Sequence, residues 1–269
     1  MASLLADWKN DLTAVGFEFV GTITFLLLGL GPIQAAVLSK QQFPSSAGVD
    51  TGPTPPLSID QMMYASAGLG IGLIVAAWLF FRVTGALFNP NISTALLAVG
   101  VIGPVRWLFF CIAQMVGAIV ASAILKGLMP GPLNISTMPA QGVNIAQALF
   151  TEMFMTCFLT LSVLMLAVEK HKTTPIAPIG VGLTLFACKL WALNITGGSL
   201  NTARSFGPAV ISGFQKSHWI YWFGPTLGAG LAVLIYLAAK RSEYWTLAPH
   251  QDAQDDKKSP DPLKTLEAN

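Results

Sequence analysis

The stretch that decides the fold is written twice: residues 85–91 read Gly-Ala-Leu-Phe-Asn-Pro-Asn, and residues 197–204 read Gly-Gly-Ser-Leu-Asn-Thr-Ala-Arg. Asn accepts hydrogen bonds well at a helix N-cap, and Pro is favoured at the first helical position, where its missing N–H would have had no intrahelical partner. Each stretch is therefore predicted to open a helix, at Pro90 and at Thr202. The apolar runs behind these caps, Ile92 to Val101 and Thr202 to Ile211, are about ten residues each, or ~15 Å as helix. That is half of a bilayer's ~30 Å hydrocarbon core.

A bilayer is the relevant solvent. The 269 residues are 53% hydrophobic and 10% charged, against about 25% charged for soluble chains, and mean hydropathy is +0.61. Ten of the charged residues fall after Lys240, in a polar tail expected to be disordered. Six stretches are long and apolar enough to cross: Leu12 to Leu38, Met62 to Phe81, Trp107 to Leu125, Val143 to Val168, Pro175 to Leu193 and Trp219 to Ala239. The fold class expected is an all-α membrane protein with six transmembrane helices plus two re-entrant half-helices, 90–101 and 202–213. Re-entrant backbone survives at membrane depth only where protein buries it or water lines it.

Self-comparison orders these pieces. Glu18, Thr22 and Phe25 recur as Glu152, Thr156 and Leu159; Asn89 recurs as Asn201, Trp107 as Trp219, and Gly117-Ala118 as Gly228-Ala229. The chain thus divides into an N-terminus 1–11, a first repeat 12–129, a connecting loop 130–142, a second repeat 143–240 and a tail 241–269. Most of the length difference between the repeats is taken up by the Pro/Gly/Ser-rich loop Ser39 to Ser58. Three spans per repeat is an odd number, so the second copy enters the membrane inverted, and the two half-helices approach from opposite faces. Their amino ends would concentrate about +0.5 charge each, plus two Asn amides, at the midplane. Cations should be repelled there, while a water accepting from both amides could pass without relaying a proton.

Several function classes are excluded or left without support. The net charge of +2 shows no polybasic cluster for nucleic acid. Cys111, Cys157 and Cys188 have neither zinc-site nor C-x-x-C spacing. His171, His218 and His250 fall in loops or tail without a nucleophile and base pair in register, so neither an enzyme nor a metal or cofactor is implied. Lys9, Arg82, Arg106, Lys170, Lys172, Lys240 and Arg241 fall on one side, against Lys40, Lys126 and Lys216 opposite. That bias places both termini in the cytoplasm. Asn134-Ile135-Ser136 is a glycosylation sequon in an outward loop, used or unused, and Ser259-Pro260 in the tail is a phosphorylation candidate.

The duplicated Asn motifs, the two glutamates, the Gly-Ala pairs and the run Arg204-Ser205-Phe206-Gly207-Pro208 together resemble the aquaporin, or major intrinsic protein, family over Gly16 to Lys240. The resemblance implies a water channel in the plasma membrane, assembled as a homotetramer with one pore per subunit. It assigns the pore motifs to Asn89, Pro90, Asn91, Asn201, Thr202 and Ala203. It makes Glu18 and Glu152 structural acids that hold the irregular backbone before each half-helix; a proton relay in a coupled transporter is the competing role. Two motif positions depart from the family's Asn-Pro-Ala: Asn91 replaces Ala and Thr202 replaces Pro. Asn91 is expected to face packing rather than the lumen.

By the same resemblance, the selectivity filter falls on Leu69, Lys189, Gly198 and Arg204. Leu69 and Lys189 stand where water-selective members carry an aromatic residue and a His. Lys189 could project into the lumen, snorkel away from it, or be misplaced by one residue. Ser205, Ala209, Tyr221 and Trp222 match the water-channel side of the family. Water is the first substrate expected, and small uncharged solutes such as glycerol or hydrogen peroxide are the alternative.

Overall fold

The computed structural model describes residues 8–42 and 58–248; residues 1–7, most of the Ser39 to Ser58 loop, and the tail from 249 with His250 and Ser259-Pro260 lie outside the described residues. The main helices are α1 (Trp8–Gln42), α2 (Ile59–Thr84), α3 (Pro90–Ala98), α4 (Pro104–Leu128), α5 (Ile145–Val163), α6 (Ala177–Thr196), α7 (Thr202–Ser212) and α8 (Ile220–Arg241). Five residues of π-helix, Leu164–Val168, extend α5. All but α3 and α7 are long and apolar enough to cross a membrane. With nine and eleven residues, α3 and α7 are not.

Polar side chains set where the second span of the first repeat and the first span of the second begin. Ser58 with Gln61, and Asn144 with Gln147, form reciprocal capping boxes at the starts of α2 and α5. The outward faces are apolar: Ile71, Trp78, Phe154, Leu183 and Leu234 are all exposed. Without water outside, spans associate by close packing of small residues, and the glycines show where. A Cβ on Gly117 of α4 would sit 3.1 Å from the Thr22 Cβ of α1; one on Gly228 of α8 would sit 2.9 Å from the Thr156 Cβ of α5. These are equivalent contacts in the two repeats. Between repeats, α2 crosses α6 where Gly70 meets the Gly182 carbonyl and Gly182 meets the Gly70 carbonyl, so the pseudo-two-fold axis passes between them. The half-helices are exchanged: α7 packs on α4, and α3 on both α4 and α8.

Order extends further into the C-terminal segment than expected. Disorder was expected from residue 241, but Tyr244–Thr246 form a 3₁₀ turn. The Tyr244 hydroxyl donates to Glu169 Oε2 at 3.1 Å, Lys240 Nζ lies 3.0 Å from Glu169 Oε1, and the Tyr236 hydroxyl also donates to Glu169. Burial pushes this carboxyl up, but hydrogen bonds from Tyr236, Lys240 and Tyr244, with the Lys240 charge, outweigh it and hold the pKa below its ordinary value. An aromatic and ionic latch thus fastens the first turn beyond α8, which composition alone reads as solvated.

Candidate pore

The two segments that feed the half-helices share one backbone conformation. Gly85, Ala86 and Phe88 have φ of +87°, +56° and +49°; Gly197, Gly198 and Leu200 have +77°, +52° and +56°. Asn89 and Asn201 then extend, at φ −152° and −157°, before α3 and α7 begin. Left-handed backbone costs a residue with a Cβ about 1–2 kcal/mol, and three of these six residues are not glycine. The acids supply the compensation. Glu18 Oε1 accepts from Phe88 N–H at 2.5 Å and from the Gln114 amide at 2.8 Å. Glu152 accepts from the Thr196 hydroxyl at 2.6 Å, Ser199 N–H at 2.7 Å and Leu200 N–H at 2.9 Å. Hydrogen bonds to a charged acceptor contribute about 1.5–3 kcal/mol each, enough to offset the strain. Thr84 and Thr196 repeat a further bond, accepting from Ala86 and Gly198 N–H at 3.1 Å each.

The asparagines are N-caps, and they meet. Asn89 Oδ1 accepts from Asn91 N–H at 2.9 Å; Asn201 Oδ1 accepts from Ala203 and Arg204 N–H at 2.9 and 3.2 Å. Their amides cross between the repeats: Asn89 Nδ2 donates to the Leu200 carbonyl and Asn201 Nδ2 to the Phe88 carbonyl, both at 2.8 Å. This refines the picture of two amides devoted to one water. Each spends one N–H on the opposite repeat, which fixes its direction, and keeps the other, since an amide nitrogen has two.

Arg204 is 2% exposed and donates through Nη1 to the Ile135 carbonyl of the connecting loop at 2.9 Å. Its Nε, also buried, has no acceptor among the described residues. Lys189 lines the central chamber with its side chain turned back toward the loop before α7. It is 1% exposed and donates to the Gly197 and Gly198 carbonyls, so its charge is folded against the strained loop. Gly198 meets Lys189 through that carbonyl and is not among the residues that line the chamber. Asn91 Oδ1 and Nδ2 bond Thr202 and Thr226 rather than facing an open lumen.

Three cavities succeed one another along this site. A vestibule of about 690 Å³ lies between the connecting loop and the end of α6 and reaches Arg204. A central chamber of about 20 Å³ is lined by Leu69, Lys189, Arg204, Asn89, Asn201 and apolar neighbours including Phe25 and Leu159. One water needs about 10–15 Å³ on this scale, so the chamber has room for about one water. A third cavity, of about 30 Å³, shares Leu73, Leu87 and Ile92 with the chamber and is otherwise walled by Ala77, Phe81, Val181 and similar residues.

Further polar side chains brace the site, and of these Thr137 and Gln34 lie outside any motif. Thr137 donates to Ser205 Oγ at 2.7 Å, Ser205 pairs with Ser199 at 2.5 Å, and Ser199 donates to the Asn201 carbonyl at 2.8 Å. Tyr221, fully buried, donates to the Thr196 carbonyl at 2.7 Å. The connecting loop is pinned by Gln34, which accepts from Asn134 N–H at 2.8 Å and donates to Pro132 at 3.0 Å. The polar Gln34, sixteen positions beyond Glu18 in the same apolar-rich span, was the available signal.

The major intrinsic protein family model matches residues 5–236. Aquaporin-1 of Laccaria bicolor is 51% identical over 271 residues, covering all of this chain and 84% of its own. Aquaporin-2 of Botryotinia fuckeliana is 45% identical over 251 residues, 93% of this chain and 65% of its own. The X-ray structure of the aquaglyceroporin from Plasmodium falciparum superposes with a TM-score of 0.69 at 18% identity, over 89% of this chain and 99% of that one, a likeness of fold.

Proposed function

The chain belongs to the major intrinsic protein family, whose members are membrane channels and not enzymes, and we propose that this one conducts water passively while excluding protons and ions. The single observation that carries the reading is the chamber with room for about one water, an N–H from each of Asn89 and Asn201 left for its occupant and Arg204 beside it. A water there accepts two hydrogen bonds on its oxygen, so its own protons point along the channel axis. Its oxygen then cannot accept from a neighbouring water, and the relay of protons breaks. The positive ends of α3 and α7 add to the barrier against cations, and Arg204 and Lys189 add to it from the outer side. Both termini are assigned to the cytoplasm, the membrane to the plasma membrane, and the assembly to a homotetramer of separate pores.

A second reading, a broader pore for small uncharged solutes, is favoured by one feature. Lys189 and Leu69 replace rigid rings with flexible stems, and the Lys189 stem fills space that a shift of rotamer would release. Stopped-flow shrinkage of proteoliposomes separates the readings. Fast water efflux with an intact pH gradient and slow glycerol and peroxide entry is expected. Lys189→Ala is expected to raise glycerol entry several-fold, and Arg204→Ala to open a proton leak with water flow kept. A wild type that dissipates the pH gradient, or that accumulates solute against its gradient as a coupled transporter would, overturns the water-channel reading.

A further inference from the structure

The two departures from the repeated motif touch each other. Asn91 Oδ1, at the tip of α3, accepts from Thr202 N–H at 3.0 Å and lies 2.9 Å from Thr202 Oγ1, at the tip of α7. The same hydroxyl lies 3.0 Å from the Tyr221 carbonyl, and Asn91 Nδ2 donates to Thr226 Oγ1 of α8 at 3.1 Å. Asn91 and Thr202 are 4% and 3% exposed. We propose that Asn91 and Thr202 are one interlocked positioning element, each required by the other, that sets how closely the half-helix tips, and so the Asn89 and Asn201 amides, approach. This deepens the water-channel reading and rests on it.

The pseudo-two-fold mate of the pair supplies the argument. In the repeat, Asn91 corresponds to Ala203 and Thr202 to Pro90. Pro90 opens α3 with no N–H to satisfy, and Ala203 offers no polar group opposite it. Thr202 opens α7 with an N–H that the helix cannot use, because the first N–H groups of any helix lack intrahelical partners. Its own cap does not help: Asn201 Oδ1 is taken up by Ala203 and Arg204 N–H. Buried donors are almost always paired, and here the acceptor comes from the opposite repeat. The dependence also runs the other way. With Pro at 202, the Asn91 oxygen would lose the Thr202 N–H, and the neighbouring hydroxyl with it, inside a buried junction. Thr202 without Asn91, or Asn91 without Thr202, is the unfavourable combination; Pro with Ala, as at 90 and 203, is the neutral one.

A double-mutant cycle tests this on the full-length chain. Asn91→Ala and Thr202→Pro, alone and combined, are compared for water permeability per channel, for the water-to-glycerol ratio and for thermal unfolding in detergent. Each single variant is expected to lose at least about threefold in permeability, and the double variant to return to within about twofold of wild type, the mark of directly interacting sites. Restoration of the water-to-glycerol ratio along with permeability marks a positioning role, because a general loss of folded protein leaves that ratio unmoved. Should either single variant fail to insert, Thr202→Ala keeps the N–H bond to Asn91 while removing the hydroxyl, and is expected to fall between wild type and Thr202→Pro. Losses that add in both permeability and unfolding overturn the proposal. A wild type that conducts no water would instead defeat the water-channel reading, and the pairing would still be decided by whether the unfolding midpoints couple.

Discussion

The two repeats share a backbone and differ in what holds it. In the first, the strained loop is wedged by rings: Phe88, fully buried, lies 6.2 Å from Phe25 and 6.1 Å from Phe80 between ring centroids. In the second, the matching loop is held by polar atoms, with Glu152 taking three donors and Ser199, Ser205, Thr137, Lys189 and Tyr221 making up the rest. Duplication preserved the geometry of the half-helix approach and left the walls free to diverge. The buried cationic side chains Lys189 and Arg204 both belong to the second repeat, while the cavity beside the first loop is walled mainly by apolar residues.

The largest test of that contrast is removal of the acids. Glu152→Ala leaves two loop amides and a hydroxyl without their acceptor, and is expected to cost about 4 kcal/mol or more, with little folded protein in a detergent melt. Glu18→Ala loses two donors, and the aromatic wedge remains; a drop near 3 kcal/mol is expected. Equal losses would mean that the wedge contributes nothing. A smaller effect concerns the matched helix crossings. A Cβ at Gly228 would lie 2.1 Å from the Met153 carbonyl, whereas one at Gly117 lies 3.1 Å from the Phe19 carbonyl. Gly228→Ala is therefore expected to destabilise by about 1–3 kcal/mol and Gly117→Ala by less than about 1; the reverse order would show that the crossings relax differently from their static spacing. The smallest effect belongs to the Glu169 latch. Its folded pKa is lowered, so its stabilisation is complete above the unfolded value of about 4.3 and is lost as pH falls through the folded value. As it is partly exposed, the contribution should stay under about 1 kcal/mol, seen as a fall in unfolding temperature in acid that Glu169→Gln abolishes.

Much of this architecture could be read from residues that are conspicuous in an apolar chain. Asn89 with Pro90, and Asn201 with Arg204, marked two helix starts on runs too short to cross, and Glu18 and Glu152 stood out as acids inside spans. Other features were hidden for physical reasons. Lys189 ends on a four-carbon stem, and spacing fixes where its Cα lies but not which carbonyl its ammonium finds. Phe88 and Leu200 occupy left-handed backbone that distant glutamates hold, and Ala86 one that Thr84 holds, and nothing in their side chains announces it. Asn91 and Thr202 each looked like an isolated departure, since a bond between residues 111 positions apart is visible only once α3 and α7 face each other.

The crossed Asn bonds carry a consequence for how the protein is made. Asn89 cannot reach the Leu200 carbonyl until a further 111 residues have been synthesised. Until the second repeat exists, the tip of α3 lacks the carbonyl its Asn amide meets in the finished protein, so the first repeat cannot complete its own half of the junction alone.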